Sequence, residues 1–255
     1  MFIIHLFVNL LIVSIELALA AATGWLAWQM PIVFSALTAG LALILGLQLE
    51  LRRLAFETPF YFERSSSLAR IVRVILGGGQ ALMKGVIAGF VALITFSGTG
   101  DSRLMIVAAL FAACALVGST ILRRLTISFG ARPTHWGFFR MAAPLGLLFS
   151  GAMSLFPPPS SLEVVRQVLI DLPARPSIAQ AGEALFSIRL WIDDLIVRIF
   201  AIYLNPEWAK ALGIVIGSNV LVGFAIAVYA VVLSEVVRML EEAHWLMRGH
   251  RRVRG

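Results

Sequence analysis

Six long apolar segments with arginine and lysine clustered on every second connection constrain this chain more than any other feature. Fifteen of the 21 basic residues fall on one face: Arg52, Arg53, Arg64, Arg70, Arg73, Lys84, Arg123, Arg124, Arg132, Arg140, Arg238, Arg248, Arg251, Arg252 and Arg254. Six fall on the other: Arg103, Arg166, Arg175, Arg189, Arg198 and Lys210. The positive-inside rule makes the first face cytoplasmic. The expected fold is therefore an all-α polytopic membrane protein of about six transmembrane helices. Both termini are expected in the cytoplasm, in a bacterial-type inner (plasma) membrane.

Composition agrees with a chain whose main solvent is lipid. Only 14% of the 255 residues are charged, where soluble domains carry about a quarter. Mean hydropathy is +0.91. A net charge of +7 suggests nucleic acid in a soluble protein, but here most of the basic excess lies beside apolar segments. Attraction to anionic headgroups and control of topology account for it, so the bilayer is the expected partner and nucleic acid is not. The single cysteine, Cys114, lies within an apolar segment, which leaves no disulfide and no thiolate cluster for a metal.

The spans follow from hydropathy and turn residues. Helix one covers about Phe2 to Trp28 and reads as an uncleaved span, because no positive charge precedes it and the apolar run is too long for a signal peptide. A Gln29-Met30-Pro31 turn leads to helix two, about Ile32 to Leu49, and an aromatic, charged stretch from Glu50 to Arg70 suits the headgroup interface. Helix three runs from about Ile71 to Phe96 and helix four from Leu104 to Leu122; helix five, Phe138 to Phe156, stops at Pro157-Pro158-Pro159. The sixth crossing is expected from about Trp208, with an amphipathic cytoplasmic extension. Three parts result: a five-helix bundle over 1–156, an extracytoplasmic segment over 157–207, and the last helix with its basic tail over 208–255.

That extracytoplasmic segment carries two helix-start signals, Ser160 with Glu163 and Ser177 with Gln180. The apolar run from Ala184 to Leu204 competes as a seventh span. Its charges, Arg189 with Asp193 and Asp194 with Arg198, would be costly in lipid, and a seventh crossing would put a basic region outside. An amphipathic helix lying on the outer surface or docked on a partner is expected instead, with Trp191, Leu195 and Ile199 on its contact face.

Glu16, in the middle of helix one, is the sharpest candidate for a functional residue. An intramembrane carboxylate needs a partner or a raised pKa. Asn9, Glu16 and Thr23 recur every seven residues, which places them near one helix face as an inward polar stripe. Lys84 lies 12 residues inside its helix boundary, as Glu16 does, and is the natural partner; Gln80 and Arg73 extend its face. The structural alternative for Lys84 is a side chain that snorkels to the cytoplasmic surface. Gly85 with Gly89 and Gly213 with Gly217 are small-residue pairs suited to close helix packing.

His5, His135, His244 and His250 are scattered, without metal-ligand spacing, and no hydrolase, metalloprotease or phosphate-binding motif is present, so no cofactor is expected. Two functional classes lead, with a membrane-bound enzyme a distant third. One is a non-catalytic subunit that scaffolds or assembles a larger membrane complex, through other membrane subunits or self-association. The other is a transporter or channel subunit that uses Glu16 and Lys84.

Overall fold

The computed structural model describes residues 2–61, 67–97, 101–130, 140–156 and 176–252, and within them every regular element is helical. The elements are α1 (Phe2–Gln29), α2 (Pro31–Tyr61), α3 (Ser67–Phe96), α4 (Asp101–Phe129), α5 (Ala142–Met153), α6 (Ile178–Tyr203), α7 (Pro206–Ile216), a 3₁₀ turn (Ser218–Leu221) and α8 (Val222–Arg252). Five of these, α1 to α4 and α8, are long and apolar enough to cross a membrane. The triple proline, Arg132 and the Ser160–Glu163 helix start lie outside the described residues.

Antiparallel hairpins build the bundle, as short connections demand. In the α2–α3 hairpin, a Cβ placed on Gly89 would lie 2.7 Å from Ala39, and one on Gly46 would lie 3.3 Å from Ala81. Helix α1 packs on α4 in the same sense, with Gly24 against Ala108 and Ala112. Helix α8 is central: from Val222 to Val237 most side chains are buried, whereas α1 exposes Leu6, Phe7, Leu10, Val13, Leu17 and Trp25 along its flank. Lipid is the medium in which such a flank costs nothing.

One aromatic cluster ties four helices together. Phe34 of α2, Phe96 of α3, Phe111 of α4 and Tyr229 of α8 pack with ring centroids 5.1–5.6 Å apart, mostly edge to face. The Tyr229 hydroxyl meets Thr38 Oγ1 at 3.1 Å, which satisfies the one polar atom of the cluster.

Several boundaries differ from those read in the sequence. Helix α2 does not stop at Leu49 but runs to Tyr61, held by Leu51 and Leu54 against Gly77 of α3 and by an Arg53–Glu57 pair one turn apart. The last crossing begins near Asn219 rather than Trp208, because the chain breaks at Gly217, whose backbone is extended. The Gly213–Gly217 pair therefore belongs to the short α7 and its cap, not to one of the five long apolar helices. Finally, α5 has 12 residues, about 18 Å of helix, where the hydrocarbon core is about 30 Å thick. It is a short apolar helix, packed so closely on the start of α8 that Gly146 and Gly223 both face the other element's backbone.

Candidate functional site

Glu16 is 5% exposed and faces the bundle interior, but its partners are on α4. Ser119 Oγ donates to its Oε1 at 2.6 Å and Arg123 Nη1 to its Oε2 at 3.1 Å. The other Arg123 nitrogen, Nη2, donates to Glu241 of α8 at 2.9 Å, so one guanidinium fork clamps two carboxylates on different helices. The expected approach of Glu16 to Lys84 is thus replaced by a three-helix network. Arg123 had been assigned to a loop because it follows the last strongly apolar residues; α4 continues past it to Phe129 and carries it back against α1.

Lys84 pairs instead with Glu50, whose side chain is 1% exposed. The hairpin contacts fix the relative levels: Gly85 lies against Ala39 and Leu43, while Glu50 is nearly two turns further along α2. The lysine stem therefore runs toward the C-terminal end of α2, the direction expected of snorkelling, and ends on a carboxylate. Glu50 had been placed at the membrane boundary, and nothing in its spacing distinguishes it from a surface charge.

The predicted polar stripe on α1 is incomplete. Asn9 is exposed on the outer flank, and Thr23 Oγ1 bonds back to the Ala20 carbonyl at 2.7 Å, which satisfies it within its own helix. Gln80 is exposed, one turn from Lys84. Gly85 and Gly89 lie against α2, whereas Gly213 lies against Val197 of α6 and Gly217 against the Asp193 carboxylate.

A third polar cluster occupies the opposite end of the bundle, where α6 meets α3, α4, α5 and the start of α8. Its helix start is as read from sequence: Ser177 Oγ accepts from Gln180 N and the Gln180 side chain accepts from Ser177 N, a full capping box. Gly182 then lets α6 approach Ser97 at the end of α3. Arg189 donates to Thr95 Oγ1 at 3.0 Å and to Asn219 Oδ1, which ties α6 to α3 and to the head of α8. Burial pushes the Arg189 guanidinium down to about 10, with Asp193 opposing and the like charge of Arg103 adding to the fall. A cavity of about 30 Å³ lies among Arg103, Arg189, Asp193, Thr95, Asn219 and apolar walls that include Phe149 and Phe186. Sequence reasoning overlooked Arg103, Thr95 and Asn219; their signal is polar residues at the ends of apolar runs that one inward-facing arginine brings together.

With Arg189 and Asp193 turned inward, α6 shows an apolar face to the outside. Trp191, Leu195 and Ile199 are 42–49% exposed, and Ile202 and Tyr203 more so. Asp194 and Arg198 pair at 2.9 Å beside it. No family model matches this chain, and neither a curated protein nor a solved structure matches it significantly.

Proposed function

We propose that this protein is a non-catalytic integral membrane subunit that scaffolds or assembles a larger membrane complex. The observation that carries this reading is the inverted amphipathicity of α6. Two of its charged residues, Arg189 and Asp193, line the cavity on the bundle side, and Trp191, Leu195, Ile199 and Ile202 are exposed on the other, beside the Asp194–Arg198 pair. Apolar burial is worth about 25 cal/mol per Å², so a helix with this face gains by leaving water for a partner subunit. The two buried ionic clusters favour assembly over transport. Glu16 and Lys84 are each closed on their own partners, the first across α1, α4 and α8 and the second between α3 and α2, and among the described residues they share no seam along which a proton or ion would pass.

The reading includes an orientation. Arg52, Arg53, Arg123, Arg124 and Arg238 lie toward the C-terminal ends of α2, α4 and α8, and that end is the cytoplasmic one in a bacterial-type inner membrane. It also includes six crossings, with α5 as the outer half of the fifth. The parallel directions of α4 and α8 support this count, since the chain must return once between them.

Purification in mild detergent tests the proposal. A stoichiometric membrane partner, or a stable homo-oligomer, is expected with the unaltered chain. Trp191→Asp with Leu195→Asp is expected to release it while the protein remains inserted. Unchanged assembly in that variant, or a lone monomer from the unaltered chain, would reject the reading.

A further inference from the structure

The cavity beside α6 holds an imbalance of charge. Among the described residues that line it, Arg103 and Arg189 bring two guanidinium groups and Asp193 one carboxylate. Asp193 offsets Arg189, to which it is electrostatically coupled, and its carboxylate lies against Gly217 at the break before α8. Among the described residues Arg103 has no such offset: its Nε is buried and no described group accepts from it. It also stands in the first turn of a 29-residue helix, where the helix dipole adds positive potential. Val107, Phe149, Met153, Phe186 and Leu190 complete the walls, and an apolar surround makes an uncompensated cation more costly.

We propose that this cavity binds a small monatomic anion, of which chloride is the abundant example, between Arg103 and Arg189. Charge selects the sign, and the volume admits a small ion. A space of about 30 Å³ exceeds the 10–15 Å³ or so that one water-sized occupant requires. Thr95 and Asn219 hold Arg189 in place, so the anion meets one positioned guanidinium and one buried N–H without rearrangement of the helices. An anion there would cross-link α4 to α6 and stabilise the end of the bundle on which α6 sits.

Thermal unfolding of the full-length protein in detergent, at constant ionic strength, tests this. Replacing gluconate by chloride or bromide is expected to raise Tm in a saturable way, because a ligand that binds only the folded state stabilises it by mass action. Arg103→Gln is expected to remove that rise. Equal melting in gluconate and chloride, or a full chloride response in Arg103→Gln, would overturn the site. A larger, Arg103-dependent response to phosphate would overturn the monatomic assignment. Should Arg103→Gln fail to fold, bromide-soaked crystals of the unaltered protein decide the matter: an anomalous peak between Arg103 and Arg189 supports the site, and bromide found only elsewhere rejects it.

Discussion

Glu50 carries a carboxylate into a position 1% exposed, and Lys84 is the charge that makes this tolerable. A buried ion pair roughly balances desolvation against attraction, but removal of one partner strands the other at a cost of about 3–5 kcal/mol. Lys84→Met is therefore expected to lower stability by about 3 kcal/mol, at the low end because Lys84 keeps some solvent contact, and Glu50→Leu added to it should restore most of the loss. The same cycle applies to Glu16 and Arg123, with a useful asymmetry. The Glu16 side chain is 7% exposed and that of Glu241 is 43% exposed, so Glu16 depends on Arg123 far more than Glu241 does. Arg123→Met should destabilise strongly, Arg123→Met with Glu16→Gln much less, and Glu241→Gln hardly at all. Thermal unfolding in detergent measures each. Equal effects of Glu16→Gln and Glu241→Gln would remove the argument from burial. That Glu16 needs a partner follows from its place in an apolar run; which partner depends on how far α4 extends, and hydropathy ends that helix at Leu122, one residue before Arg123.

At the scale of elements, small residues decide how near two helices come, and their local spacing is a poor guide to which ones matter. Gly77-Gly78-Gly79 is the most conspicuous run in the sequence, yet only Gly77 meets another helix, while Gly78 and Gly79 face open space. Gly146 and Gly223 belong to no repeat, but a Cβ on Gly146 would collide with the backbone of Val220 in the 3₁₀ turn before α8, and one on Gly223 with the backbone of Ala142 in α5. Backbone cannot yield as a side chain does. Gly223→Ala and Gly146→Ala are accordingly expected to separate α5 from α8 and lower stability by several kcal/mol, in the range of severe overpacking. Gly78→Ala and Gly79→Ala should be neutral or raise stability by up to about 1 kcal/mol, since alanine is the better helix former. Melting temperatures of the four variants check this, and a loss at Gly79 equal to that at Gly223 would refute it. The GxxxG pattern of Gly85 and Gly89 sits where sequence placed it, in a long apolar helix, because periodicity along one segment is a local property. The Gly146–Gly223 contact is a tertiary one, and no local pattern contains it.

For the whole molecule, alternation of charge along the chain carries most of the information, since it needs only the order of spans and not their exact limits. The all-helical architecture and the long apolar helices follow from it directly. The short α5 does not, because it gains its place from packing on α8 rather than from its own length. Arg123 joins Glu241 and Phe111 joins Tyr229, so α4 and α8 run the same way, and any passage between them must return the chain to the far side. This yields a topology that accessibility can test. On a Cys114→Ala background, Glu207→Cys in α7 is expected to react with a membrane-impermeant thiol reagent added to intact cells, being exposed at the α6 end of the bundle. Arg124→Cys, exposed near the opposite end, is expected to react only after permeabilisation. Labelling of both positions from the same side would mean that the chain crosses an even number of times between them, or not at all where α5 stands, and would reverse the assignment of the α6 face to the outside. Labelling of Arg124→Cys alone in intact cells would keep the bundle but invert it, against a basic excess of fifteen residues to six.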